Sequence, residues 1–242
     1  MRAIIYIGHG SRNDQRNQAF INKITPIINN VSFPIQKIAF LEAKPSLMNK
    51  IDQCILEGAT EIIVVPIFLL PGIHVNQDIP AIINEKKTQY PSLTVYYAPP
   101  FNDADDLIED ITERIATIPK VIGEDKAIIV ISHGSRNTKA LVVFERLITK
   151  LQKHLHGNSV FPAYLKSQEP SLEQCLTDLE NGSYKDIIVV PHFFNTTMFP
   201  KKIETIVGEA NFHHVAIAPA IEFNEKIEQV IKKQIALASK VQ

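Results

Sequence analysis

Gly8-His9-Gly10-Ser11-Arg12-Asn13 follows the apolar run Ala3-Ile4-Ile5-Tyr6-Ile7, and the same pattern returns as Ser132-His133-Gly134-Ser135-Arg136-Asn137 after Ala127-Ile128-Ile129-Val130-Ile131. A wholly apolar run of about five residues reads as a strand buried on both faces. The histidine therefore leaves the end of a buried strand. The glycines around it permit a sharp turn and close approach of a ligand. Ser11 or Asn13 is placed to cap a following helix, and Arg12 adds a fixed fork of donors.

The two histidines lie 124 positions apart, about half of the 242-residue chain, so the rest reads as two copies of one unit. Ile62-Ile63-Val64-Val65-Pro66 matches Ile187-Ile188-Val189-Val190-Pro191, and Pro45-Ser46-Leu47 matches Pro170-Ser171-Leu172, both at an offset of 125. Between these anchors the hydrophobic period alternates between short strands and helices, as in residues 13–30, where Phe20, Ile24, Ile27 and Ile28 share a helical face. Each half is a run of four strand–helix pairs. The expected fold is α/β: two similar lobes, each a four-stranded parallel sheet flanked by helices. The expected lobes are 1–118 and 124–242, with a linker over 119–125. A helix is expected from about Asn76 to Lys87, and each lobe is expected to keep its own last helix.

Composition narrows the function. The chain is 45% hydrophobic and 21% charged with a formal net charge of −1, so no global field favours nucleic acid or an anionic membrane. No apolar run is long enough to span a bilayer, and Met1-Arg2 leads directly into a strand. A cytoplasmic protein is expected. Cys54 and Cys175 fall within helical patterns and read as reduced core thiols.

Open parallel sheets bind ligands beyond the carboxyl ends of their strands. In the first half His9 follows the first strand, Glu42 the second, and His74 the apolar loop after the third. Two imidazoles and a carboxylate suit a borderline divalent metal and also suit proton abstraction near neutral pH. In the second half His133 matches His9, but at an offset of 125 Glu42 meets Ser167 and His74 meets Phe199, with Met198 one position before it. A single working site, in the N-terminal half, is expected. The rival arrangement rebuilds a site around His133 from Glu169 and His192. His213 and His214 read as solvated residues before a strand.

The loop residues suggest the ligand's shape. Leu69, Leu70, Pro71 and Ile73 form an apolar lip beside His74, with Phe194, Met198 and Phe199 as the counterpart. A flat aromatic molecule would suit a cleft between such lips. Ser11, Arg12, Asn13, Asn76, Gln77, Ser135 and Arg136 are candidates to hydrogen-bond carboxylates at its rim.

Together, Gly8-His9-Gly10-Ser11-Arg12, Phe40-Leu41-Glu42 with Pro45-Ser46-Leu47, Val64–Leu69 and Gly72-Ile73-His74 resemble the sirohydrochlorin chelatases, the class II chelatases with cobaltochelatase and ferrochelatase forms. The likeness covers the whole chain, and the duplicated length without a His-rich tail is most similar to the long ferrochelatase form. The resemblance implies insertion of Fe2+ into sirohydrochlorin, giving siroheme, without ATP. It implies catalytic or metal-binding roles for His9 and His74, assisted by Glu42, and no cofactor beyond the divalent metal substrate. Co2+ or Ni2+ insertion, or a carrier of tetrapyrrole or metal, are the alternatives. The expected partners are sirohydrochlorin and the metal, with no nucleic acid or membrane, and the chain is expected to act as a monomer.

Overall fold

A computed structural model describes residues 1–118, 126–182, 184–194 and 200–240. The expected linker 119–125 and the lip residues Met198 and Phe199 lie outside them. The sheets are as expected: two four-stranded parallel sheets with helices packed on them.

The first sheet has the order β2-β1-β3-β4, from β1 (Arg2–Gly8), β2 (Ile35–Phe40), β3 (Glu61–Pro66) and β4 (Thr94–Tyr97). The second repeats it as β6-β5-β7-β8, from β5 (Lys126–Ser132), β6 (Ser159–Tyr164), β7 (Asp186–Pro191) and β8 (His214–Ile217). Ala3 through Ile7 are fully buried, which accounts for the unbroken apolar run of a central strand. Each buried isoleucine contributes roughly 2–3 kcal/mol of transfer free energy. The one hydroxyl in that run, on Tyr6, donates to Gln36 Oε1 at 2.7 Å, and burial raises its pKa. Cys54 and Cys175 are free and buried, and burial pushes both thiols up to about 11.

The helices are α1 (Asp14–Asn29), α2 (Leu47–Leu56), α3 (Ile79–Gln89), α4 (Asp105–Ala116), α5 (Thr138–His154), α6 (Leu172–Glu180), α7 (Pro200–Gly208) and α8 (Glu225–Lys240). Asn13 caps α1, accepting from the amides of Gln15 and Arg16, and Ser46 caps α2 through the amide of Asn49. The third helix begins later than its periodicity suggests. A π-helical turn, His74–Asp78, precedes α3.

The compact units are not the sequence repeats. One comprises Met1–Asn102 with Phe223–Gln242, and the other Asp103–Glu222. The last helix of each repeat therefore packs with the other repeat's sheet, contrary to expectation. In the first unit, Asn30 Nδ2 donates to Glu228 Oε2 of α8 at 2.7 Å and Phe20 meets Phe223 edge-on, ring centroids 5.5 Å apart. In the second unit Arg114 of α4, itself buried, donates to the Pro191 and Pro219 carbonyls at 3.0 and 2.7 Å and to Asp110 at 2.8 Å. Both helices carry an apolar face at the same repeat position, so periodicity alone does not say which sheet each covers.

Candidate metal-binding site

Strand order explains why distant residues meet. β1 is central, flanked by β2 and β3, so the three carboxyl-terminal loops adjoin. Beyond the strands, the Leu41 amide donates to the Gly8 carbonyl at 3.2 Å and the Glu42 amide to the His9 carbonyl at 2.9 Å. This extension of the ladder sets Glu42 beside His9. Gly10 completes the turn at a φ of 82°, where a Cβ would lie 2.9 Å from Phe40 and Ala43 side-chain carbons. No L side chain fits there without strain.

The side chains of His9, Glu42 and His74 converge. One ligand atom from each lies within 4.8 Å of the others. His9 Nδ1 is 3.7 Å from Glu42 Oε2, and His74 Nε2 is 3.8 Å from Glu42 Oε1. The two imidazole rings are edge to face, with centroids 4.7 Å apart. All three side chains are at least a third exposed, so an ion has direct access. Bonds of about 2.1 Å to N and O ligands require separations of this order after only small side-chain motion.

Asp78 is a further member that the sequence analysis missed. Its Oδ2 lies 2.6 Å from His74 Nδ1, four residues earlier on the π-helical turn. With Nδ1–H donating to the carboxylate, the Nε2 lone pair is left facing Glu42. This carboxylate–histidine arrangement orients and strengthens a metal ligand. The signal was present as His-x-x-x-Asp, a spacing that faces one side of a helix. The Tyr97 hydroxyl donates to the Val75 carbonyl at 2.8 Å, and Asn76 Nδ2 to Pro71 O at 2.7 Å, which hold the turn in place.

The candidate rim residues divide. Ser11 is fixed by Asn17, a buried residue that accepts from the Ser11 amide at 2.8 Å and donates to its carbonyl at 2.7 Å. The Asn13 oxygen is engaged as the α1 cap. Arg12 is exposed, as is Arg136. Ser135 Oγ accepts from the Asn137 amide at 3.1 Å, and its carbonyl accepts from Gln168. In the apolar lip Ile73 is exposed, Leu70 half-buried and Pro71 buried. Phe68 lies beside His9, with ring centroids 6.3 Å apart.

Among the described residues of the second unit, no such trio surrounds His133. The Leu165 and Lys166 amides bond to the Ser132 and His133 carbonyls at 3.0 and 3.1 Å, the same ladder as in the first unit. Glu42 therefore corresponds to Lys166, and the expected counterpart, Ser167, is one position too late. A cation replaces the carboxylate, which disfavours a metal there more strongly than serine would. The rival arrangement from Glu169 and His192 does not form. Glu169 Oε2 accepts from the Ser171 amide at 3.1 Å. His192 is buried against Phe144 with ring centroids 5.8 Å apart, and burial, aided by the Arg114 charge, lowers its pKa to about 3.

Among the described residues no helix is long and apolar enough to cross a membrane. Comparison with known proteins is consistent with the duplicated architecture. The chain is 27% identical to a sirohydrochlorin ferrochelatase of Bacillus subtilis, over 97% of this chain and 90% of the relative. It is 25% identical to a sirohydrochlorin cobaltochelatase of Priestia megaterium, over 97% of this chain and 79% of the relative. The solved structure of SirB from Bacillus subtilis with Fe3+ superposes with a TM-score of 0.88 at 24% identity, covering 99% of this chain and 96% of that one. The CbiX family profile matches residues 3–118 and again 127–238, so the chain belongs to the CbiX family.

Proposed function

We propose that this protein is a sirohydrochlorin ferrochelatase, inserting Fe2+ into sirohydrochlorin to give siroheme without ATP. The observation that carries this reading is the convergence of His9, Glu42 and His74 within 4.8 Å, on a fold of the CbiX family. Iron is favoured over cobalt by the match in length: the chain spans 90% of the ferrochelatase relative and 79% of the cobaltochelatase relative.

The reaction exchanges two pyrrole N–H protons for one metal ion. His74, its Nδ1 held by Asp78, presents Nε2 as the fixed ligand for the incoming ion. Glu42 stands between the two histidines and balances part of the ion's charge. As the metal passes to the ring, His9 and Glu42 are freed to accept the departing protons. One lone pair cannot hold a proton and the metal together, so transfer of the metal and acceptance of the protons are sequential at each group. The exposed Arg12, with Ser11, supplies donors for the macrocycle's carboxylates, and Asn13 contributes through its amide nitrogen; Ser135 and Arg136 offer the same donor types on the matching turn of the second repeat. The apolar Leu70 and Ile73 contact its face. The working site belongs to the N-terminal repeat, and the protein acts as a cytoplasmic monomer with no resident cofactor and no nucleic-acid or membrane partner.

Absorbance-monitored insertion with Fe2+, Co2+ and Ni2+ in parallel tests the proposal. Turnover of sirohydrochlorin, fastest with Fe2+, is expected. Faster turnover with Co2+ would make the protein a cobaltochelatase, and tight binding without turnover would make it a carrier.

A further inference from the structure

The second unit holds another group of metal-ligand type, away from the strand ends described above. Asp186 opens β7 and His214 opens β8, and the two stand directly opposite each other in the parallel register. His213 immediately precedes His214 in the bend into β8. His214 Nδ1 lies 3.1 Å from Asp186 Oδ1, and His213 Nδ1 lies 3.8 Å from the same atom. The imidazoles are edge to face with centroids 4.2 Å apart, and one ligand atom from each of the three residues lies within 4.8 Å of the others. A tetrahedral ion with bonds near 2.1 Å sets its ligand atoms about 3.4 Å apart, which the two observed distances bracket.

The internal duplication provides a control. The residues of the first unit at these positions are Glu61, at the start of β3, and Leu93 and Thr94, at the start of β4. Glu61 pairs with Arg2 at 3.4 Å, and no imidazole is present. The fold thus forms this sheet edge without histidines, and the His-His-Asp group is an addition particular to the second unit. The carboxylate is nearly buried and fixed, while the His213 side chain is 73% exposed. The amides of both histidines donate to the Lys185 carbonyl, at 2.9 and 3.4 Å, which holds the pair in place. Lys126 stands opposite Asp186 in the register with β5.

We propose that Asp186, His213 and His214 form a second, solvent-accessible site for a divalent transition metal, at the amino-terminal edge of the second sheet and separate from the insertion site. Two imidazoles and a carboxylate favour Co2+, Ni2+ or Zn2+ over Mg2+ or Ca2+. Three protein ligands leave a position open to water.

Calorimetric titration of the full chain with Co2+ tests this. The wild type is expected to bind two ions. The His9→Ala/His74→Ala variant should retain one, and adding His213→Ala/His214→Ala should remove it. The milder His213→Gln, at an exposed position, should weaken the remaining site about tenfold or more with an unchanged circular dichroism spectrum. His213→Ala/His214→Ala alone should bind one ion and keep its insertion activity. No binding to His9→Ala/His74→Ala, or binding that survives loss of both His213 and His214, would overturn the proposal.

Discussion

Replacing Asp78 with alanine isolates the support of a ligand from the ligand itself. The carboxylate touches His74 Nδ1 at 2.6 Å and caps no helix end through its side chain. It is about half exposed, so its loss does not open a core cavity. Without it, His74 loses its fixed tautomer and ring orientation. Loss of such outer-shell partners weakens metal affinity or activity about 10–100-fold, or about 1.4–2.7 kcal/mol. Solvent screening at this exposed pair places the expected loss near the lower end, about tenfold in kcat/KM. Asp78→Asn, whose amide oxygen still accepts from Nδ1–H without the charge, should fall between Asp78→Ala and wild type. The assay is initial-rate metal insertion at varied metal concentration, with Co2+ affinity measured in parallel. The effect should fall on the metal KM and on affinity, with an unchanged thermal unfolding curve. Both variants within twofold of wild type in kcat/KM and affinity would show that His74 needs no partner, and the reasoning would fail.

Two further outcomes follow from groups outside the trio. His192 is held neutral by burial, its pKa about 3 against 6.5 unperturbed. The unfolded chain therefore binds the extra proton between these values, and the stabilisation present above pH 6.5 is lost as pH falls through that window, approaching about 1.4 kcal/mol per unit. Urea unfolding from pH 7.5 to 5 should show a loss of about 2 kcal/mol that His192→Phe removes; equal pH slopes in the two proteins would refute this. Asn17→Ala, which cuts both hydrogen bonds to the Ser11 backbone, should cost about 1–3 kcal/mol in the same assay and also slow insertion by loosening the His9 turn; unaltered stability and rate would count against the clamp.

Much of the fold is legible in the chain because parallel strands buried on both faces appear as unbroken apolar runs. Ile62–Val65 and Ile187–Val190 are such runs, and the duplicated His-Gly-Ser-Arg turns tie them to one repeated unit. His9, Glu42 and His74 were legible for a related reason, since each follows a strand and strand ends adjoin in an open sheet. What stayed hidden depends on pairing. Glu42 corresponds to Lys166 because the ladder continues past β2 and β6, and the extra residue of the second loop comes after it. Counting from the downstream Pro-Ser-Leu anchor shifts the match by one. The exchange of α4 and α8 between sheets was hidden because both are amphipathic in the same way. His192 looked available as a strand-end imidazole, yet its ring turns into the core against Phe144. Asp78 was hidden because its role comes only from helical geometry beyond His74.

The central claim is that insertion depends on the trio of the first repeat and not on the matching turn of the second. Its most direct test compares the sirohydrochlorin insertion rates of His74→Ala and His133→Ala under identical conditions. His74→Ala should lower the rate by at least about a hundredfold, near 2.7 kcal/mol of barrier, because a ligand is removed at the reacting centre. His133→Ala, with Lys166 where a carboxylate would be needed, should stay within about tenfold of wild type. Equal losses in the two variants would contradict the account and assign a working site to each repeat.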